Sequence, residues 1–186
     1  MKKVAGVDEV GRGSLIGPVC AAAVILNKNI NKKVLKDSKI LPRNRREILA
    51  TYIKKNSIWA VGKASAKEIE KINILNASLL AMKRAIKNLK RKPELVLIDG
   101  NKLPDMKNYN LRSVIKGDQK IASISAASII AKVSRDKMII KLGKKFKGYN
   151  WSQNFGYGTQ QHLKAIKRLG ISPHHRKTFS PFKRKK

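Results

Sequence analysis

Four consecutive apolar residues, Leu95-Val96-Leu97-Ile98, stand between Pro93 and Asp99-Gly100, and this segment constrains the fold more than any other. A strand with one wet face alternates apolar and polar side chains. A short unbroken apolar run instead suits a strand covered on both faces, as in a sheet with helices packed against each side. Pro93 ends what precedes it, and the strand's carboxyl end carries an acid, Asp99, on a glycine turn.

The remaining pattern supplies partners for that strand. Residues 3–7 and 18–26 read as strands joined by a glycine-rich turn, a hairpin-like pair. Residues 42–56 read as a helix with Pro42 in its first turn. Residues 58–64 form a third strand. Ser65-Ala66-Lys67-Glu68 resembles a capping box and opens a long helix, with Ile69, Ile72, Leu75, Leu79, Met82, Ile86 and Leu89 at helical spacing. Residues 111–115 predict a fifth short strand. Residues 123–143 are rich in Ala, Ile and Ser and predict a helix lying close against the sheet. Residues 148–158 read as an aromatic, glycine-rich loop, and residues 159–169 as a helix capped by Thr159 and stopped by Gly170. This order predicts an α/β fold, a mixed sheet flanked by helices. We expect one domain over residues 1–186, with a core over about 1–145 and a small helical, basic C-terminal extension over about 146–186.

Charge narrows the partner. The 186 residues hold 43 Lys+Arg against 11 Asp+Glu, a formal net charge of +32, and no acid follows Asp136. A one-signed field of that strength concentrates polyanions, and a nucleic-acid backbone is the natural one. A membrane is not expected, since no segment approaches the roughly 18 apolar residues of a span. The start has no signal-peptide pattern, so a cytoplasmic, monomeric protein is expected. The lone Cys20, inside an apolar run, reads as a buried thiol.

Against this background the few acids stand out. Asp8 and Glu9 follow the apolar stretch Val4-Ala5-Gly6-Val7 and precede Gly11-Arg12-Gly13. In open α/β sheets ligands bind at the carboxyl ends of strands. If the first strand and the Leu95–Ile98 strand are parallel neighbours, Asp8, Glu9 and Asp99 converge. Asp118, after Lys116-Gly117, is the natural fourth member. Two carboxylates about 5 Å apart repel by roughly 3 kcal/mol at an effective dielectric of about 20, so such a cluster demands cations or raised pKa values. All-oxygen ligation favours Mg2+ or Mn2+ over zinc, and a pair of such ions suits hydrolysis of phosphodiesters.

Gly6-Val7-Asp8-Glu9-Val10-Gly11-Arg12-Gly13 followed by Gly17-Pro18 resembles the opening signature of type 2 ribonucleases H, the ribonuclease HII family. Further pieces follow in order: Asp37-Ser38-Lys39, Ile98-Asp99-Gly100, and Lys116-Gly117-Asp118 with Ser125-Ala126-Ala127-Ser128-Ile129-Ile130-Ala131-Lys132-Val133 and Arg135-Asp136. Then come Gly156-Tyr157-Gly158-Thr159 with His162-Leu163, and His175-Arg176-Lys177-Thr178-Phe179. The resemblance implies a ribonuclease H-like fold and endonucleolytic cleavage of RNA in RNA–DNA hybrids. It also implies incision 5′ of single ribonucleotides in duplex DNA, giving 3′-hydroxyl and 5′-phosphate ends by two-metal catalysis. It puts Asp8, Glu9, Asp99 and Asp118 in the catalytic, metal-binding places. It gives Gly11, Arg12 and Gly13 backbone contacts to the ribose 2′-OH, places Lys39 near a substrate phosphate, and stacks Tyr157 on the sugar after the ribonucleotide. Departures from the family pattern are Gly158 for a proline, Val10 for alanine, Thr178 for serine and Phe182 for valine; none removes a ligand.

Other residues receive blander readings. Arg135 and Asp136 are expected as an ion pair on a helix surface. His162, His174 and His175 are given no chemistry, and Trp59 and Trp151 read as core or loop anchors. Two rival functions remain at this level. A DNA junction nuclease of the same general fold does not need the Gly11-Arg12-Gly13 turn with Tyr157. A non-catalytic basic RNA-binding protein leaves the carboxylates unexplained, since they repel phosphate unless a metal intervenes.

Overall fold

A computed structural model describes residues 3–31, 33–35 and 42–182. Five strands form one sheet in the order β3-β2-β1-β4-β5: β1 is Val4–Val10, β2 Val19–Leu26, β3 Ser57–Ala64, β4 Leu95–Asp99 and β5 Leu111–Val114. β1, β2 and β3 pair antiparallel, whereas β4 runs parallel to both β1 and β5. The mixed α/β sheet expected from the sequence is the sheet that forms. The helices are α1 (Arg43–Lys55), α2 (Ala66–Lys87), α3 (Gly117–Lys120), α4 (Ala122–Lys145), α5 (Trp151–Asn154) and α6 (Gln160–Leu169). A short 3-10 turn covers Lys33–Leu35.

Alternation along the strands divides the core into two layers. Ala5 and Val7 of β1, Ala21 and Ala23 of β2, and Val96 and Ile98 of β4 pack with Ile69, Ala77, Ala81 and Met82 of α2. On the opposite face Ala22 and Val24 of β2 meet Ala126, Ala127 and Ile130 of α4 and Leu49, Ala50 and Ile53 of α1. Both helices approach the sheet through glycines. A Cβ on Gly6 would lie 2.1 Å from the Ser123 carbonyl carbon of α4, and one on Gly62 would lie 2.2 Å from the Ala81 carbonyl oxygen of α2. A third cluster joins Leu15, Ile16 and Ile139 to Tyr149, Trp151 and Ala165, so residues after α4 fold back onto the segment following β1. An isolated antiparallel bridge between Ile16 and His175 closes that contact.

Several local features differ from the sequence expectation. β1 runs three residues past Val7, because Asp8, Glu9 and Val10 pair with Ala22, Ala21 and Cys20. α2 is broken at Asn73 (φ 63°, ψ 170°), whose Oδ1 accepts the Asn76 N–H at 3.1 Å and so starts the helix again. Asn tolerates that backbone region better than most residues. The break shifts the apolar stripe and leaves Leu75 36% exposed. The 148–158 loop contains the single helical turn α5, and α3 precedes α4 as a separate turn. Ser65 does form the capping box with Glu68. Cys20 is a buried free thiol whose pKa burial pushes up to about 11. Among the described residues no helix is long and apolar enough to cross a membrane.

Candidate active site

Val7 of β1 is level with Ile98 of β4 where their parallel pairing stops, so the next residues, Asp8 and Asp99, lie side by side. Val7 and Ile98 face α2, and alternation turns Asp8 and Asp99 to the face that carries α4. Asp8 is 6% exposed. Its Oδ1 accepts the Glu9 N–H at 2.7 Å, and Ser128 of α4 hydrogen-bonds its carboxyl group. Burial, aided by the charges of Glu9 and Asp99, pushes Asp8 up to about 7 against the pull of those hydrogen bonds. Glu9 is likewise raised, by burial first and by Asp99; the Arg12 guanidinium opposes the rise from 3.2 Å.

Asp99 reaches toward α3. Its Oδ1 accepts the Gly117 N–H at 2.7 Å and the Asp118 N–H at 3.4 Å. Lys116 takes a left-handed conformation (φ 54°) that turns the chain so both amides face Asp99. A Cβ on Gly117 would come within 2.6 Å of Ile124 Cδ1 and 3.2 Å of Val114 Cβ, so this turn sits tightly against α4. The structure thus brings Asp8, Glu9 and Asp99 into one electrostatic group and ties the Asp118 backbone to it. As the side chains stand, no three His, Cys, Asp or Glu side chains among the described residues close around a common point. The donors are nevertheless all oxygen, and Asp8 is raised chiefly by burial, with the charges of Glu9 and Asp99 adding to it. That is the chemistry a hard divalent cation fits.

The Gly11-Arg12-Gly13 turn follows directly. Gly11 has φ 89°, and a Cβ there would lie 2.1 Å from Arg135 Nε. Gly13 is exposed with open space around its Cα. Tyr157 lies on a loop fastened to the segment after this turn: the Leu15 N–H and the Ser14 hydroxyl both donate to the Gly156 carbonyl, at 2.8 and 3.0 Å. The half-buried Tyr157 ring has Arg135 Cζ 5.6 Å and Lys132 Nζ 5.8 Å from its centroid. The turn and Tyr157 therefore belong to one surface. Gly158 does not use a left-handed backbone, and a Cβ there would touch Leu15 Cδ1 at 3.3 Å. Lys39 and the Asp37-Ser38-Lys39 segment lie outside the described residues.

Three basic residues here escaped the sequence reading. Arg135 is not on the surface and does not pair with Asp136. It is fully buried and donates to the carbonyls of Pro18, Phe155 and Ile16. Asp136 pairs instead with Lys132 at 2.9 Å, and Lys132 also lies over the Phe155 ring at 4.8 Å. Arg176, also fully buried, donates to the carbonyls of Gly17 and Arg12. Ser128 went unnoticed for a different reason, being one small residue of a small-residue helix. His162 and His175 are buried in the aromatic cluster around Trp151, and burial holds both below the usual imidazole range. Trp151 is fully buried and donates to His162 Nε2 at 2.9 Å, whereas Trp59 on β3 is 36% exposed.

Comparison with known proteins bears directly on this arrangement. The sequence profile of ribonuclease HII matches residues 5–182. The chain is 75% identical over 181 residues to the ribonuclease HII of Pelagibacter ubique (strain HTCC1062), covering 97% of each. It is similar in structure to the ribonuclease H2 of Pyrococcus horikoshii, with TM-score 0.80, 29% identity, and 97% and 95% of the two chains covered. The Mn2+ complex of Bst-RNase HIII has the same fold at TM-score 0.74 and 20% identity, covering 98% of this chain and 68% of that one.

Proposed function

The chain belongs to the ribonuclease HII family, endoribonucleases that cleave the RNA strand of RNA–DNA hybrids, and on that premise we propose that it also incises 5′ of single ribonucleotides in duplex DNA. The products are a 3′-hydroxyl and a 5′-phosphate. Asp8, Glu9, Asp99 and Asp118 hold the divalent cations, Mg2+ or Mn2+. When bound, these ions activate water as the nucleophile and stabilise the departing 3′ oxygen. The chain's own part is placement. Ser128 and the Glu9 N–H orient the Asp8 carboxyl group, and the Gly117 and Asp118 amides orient Asp99.

The observation that carries this reading is the parallel pairing of β1 with β4. It sets the buried Asp8 beside the half-buried Asp99, next to a glycine turn fastened to the Tyr157 loop. The backbone of the Gly11-Arg12-Gly13 turn, exposed at Arg12 and Gly13, reads the ribose 2′-OH, the group that distinguishes RNA from DNA. Tyr157 packs on the following sugar, and Lys39 meets a phosphate. The protein works as a single domain and a monomer in the cytoplasm, with RNA–DNA hybrid and ribonucleotide-containing duplex as its partners. Product mapping on a DNA duplex with one ribonucleotide, with and without Mg2+, tests the proposal. The expected result is one Mg2+-dependent cut 5′ of the ribonucleotide. Cleavage on its 3′ side, or equal cutting of all-DNA duplex, would overturn it.

A further inference from the structure

Two guanidinium groups are buried beneath the Gly11-Arg12-Gly13 turn, and neither forms an ion pair with a carboxylate among the described residues. Arg135 arises from α4, Arg176 from the segment after α6. Burying an ionised group without a counter-charge is costly unless its hydrogen bonds are made. Here they are made almost entirely to main-chain carbonyls of one short stretch. Arg176 Nε donates to Gly17 O at 3.0 Å and Nη1 to Arg12 O at 2.9 Å. Arg135 donates to Ile16 O at 3.3 Å and Pro18 O at 3.2 Å, and spans to Phe155 O at 3.2 Å, two residues before Tyr157. Arg176 Nη2 has no partner among the described residues. An apolar side chain would fill the same space more cheaply, so the guanidinium is there for what it orients.

In a planar trans peptide the C=O and N–H point in opposite directions. The Arg12 carbonyl, held inward by Arg176, therefore forces the next N–H, that of Gly13, to face outward. Gly13 is exposed, has open space around it, and its N–H donates to none of the described residues. We propose that Arg176 is a positioning residue for substrate discrimination: by fixing the Arg12–Gly13 peptide plane it aims the Gly13 N–H at the substrate sugar, while Arg135 locks the same segment to the Tyr157 loop. This rests on the reading of the turn as the 2′-OH contact and assigns the part of the protein that makes it selective.

The test measures binding of two duplexes that differ by one 2′-OH, in EDTA so that neither is cut. The wild type is compared with Arg176→Met and Arg176→Lys. Met has similar length and no donors; the Lys ammonium lacks the fork that reaches two carbonyls. Losing one aimed hydrogen bond corresponds to roughly tenfold in affinity. The expected result is a roughly tenfold fall in preference for the ribonucleotide duplex with unchanged affinity for the all-DNA duplex, whatever the change in thermal midpoint from the Gly17 and Arg12 carbonyls losing their donors. If Arg176→Met does not fold, Arg176→Lys carries the comparison alone. Retained preference in a folded variant would overturn the assignment. So would parallel loss of both affinities with a lower midpoint, which would make Arg176 structural only. A wild type with no preference between the duplexes would overturn the underlying reading of the turn, and is distinguishable because it appears before any substitution.

Discussion

Replacing Asp8 with Asn separates the electrostatic burden of this site from its activity. The Asp8 carboxyl group sits at about 7 in the folded protein against an ordinary value of 3.8, chiefly because it is buried. The folded state therefore keeps a proton that the unfolded chain releases. Stability from this group is intact below pH about 4 and lost as pH rises through 7. The full loss is about 4 kcal/mol at roughly 1.4 kcal/mol per tenfold, and local relaxation makes about 2 kcal/mol the smallest sensible effect. Asn keeps an acceptor for the Glu9 N–H and does not titrate. Urea unfolding in EDTA at pH 4.5, 6 and 8 should show Asp8→Asn gaining on wild type by about 2–4 kcal/mol across that range. Carboxylates remote from Asp8 titrate alike in both proteins and cancel in the difference, while Glu9 and Asp99, freed of the Asp8 charge, shift it further in the variant's favour. Mn2+ at pH 8 should restore wild type far more than the variant, because the cation replaces the proton. Cleavage should be nearly abolished throughout, with duplex binding kept. A stability difference that does not change with pH, or a variant that weakens as pH rises, would refute the reasoning.

Tyr157→Ala should lower cleavage at single embedded ribonucleotides by roughly tenfold to a hundredfold, since stacking contacts of this kind are worth about 1–3 kcal/mol, and should spare long hybrids; equal losses on both substrates, measured in the same Mg2+, would show that Tyr157 supports the site generally. Removing Lys183 to Lys186 should shallow the salt dependence of duplex affinity without moving the cut, read from binding titrations at several salt concentrations. Gly6→Ala should cost at least about 3 kcal/mol in urea unfolding, because its Cβ would meet the α4 backbone at 2.1 Å and the clash lies against main chain that cannot rotate away.

What could be read from the sequence was whatever local periodicity and motif spacing encode. The apolar run at Leu95–Ile98 predicted a doubly covered strand, but β4 buries one face only: Val96 and Ile98 pack in the α2 layer, while Leu95 and Leu97 stay half-buried. The placing of Asp99 at a strand end was legible; Asp8 lies inside β1, which runs on to Val10, but the parallel pairing that stops at Val7 and Ile98 still sets the two together. The buried arginines were not legible. In a chain with 43 Lys+Arg one more arginine looks like solvent-facing charge, and what buries Arg176 is a set of carbonyls about 160 residues away in sequence. The break at Asn73 was hidden for the opposite reason: the apolar spacing runs through it unchanged, and only the backbone at one residue departs.

The pairing order of the sheet also bears on when the proposed site is complete. β1, β2 and β3 form an antiparallel meander whose contacts are short in sequence, whereas β4 must cross back over to lie parallel beside β1. Local pairings form sooner than distant ones, and a parallel pair needs the whole crossover in place. During synthesis Asp8 and Glu9 leave the ribosome about ninety residues ahead of Asp99, on a meander that can form without it. On the proposed site assignment, a nascent chain is already a polycation when it carries Asp8 and Glu9 alone, and the carboxylates come together only once β4 docks beside β1.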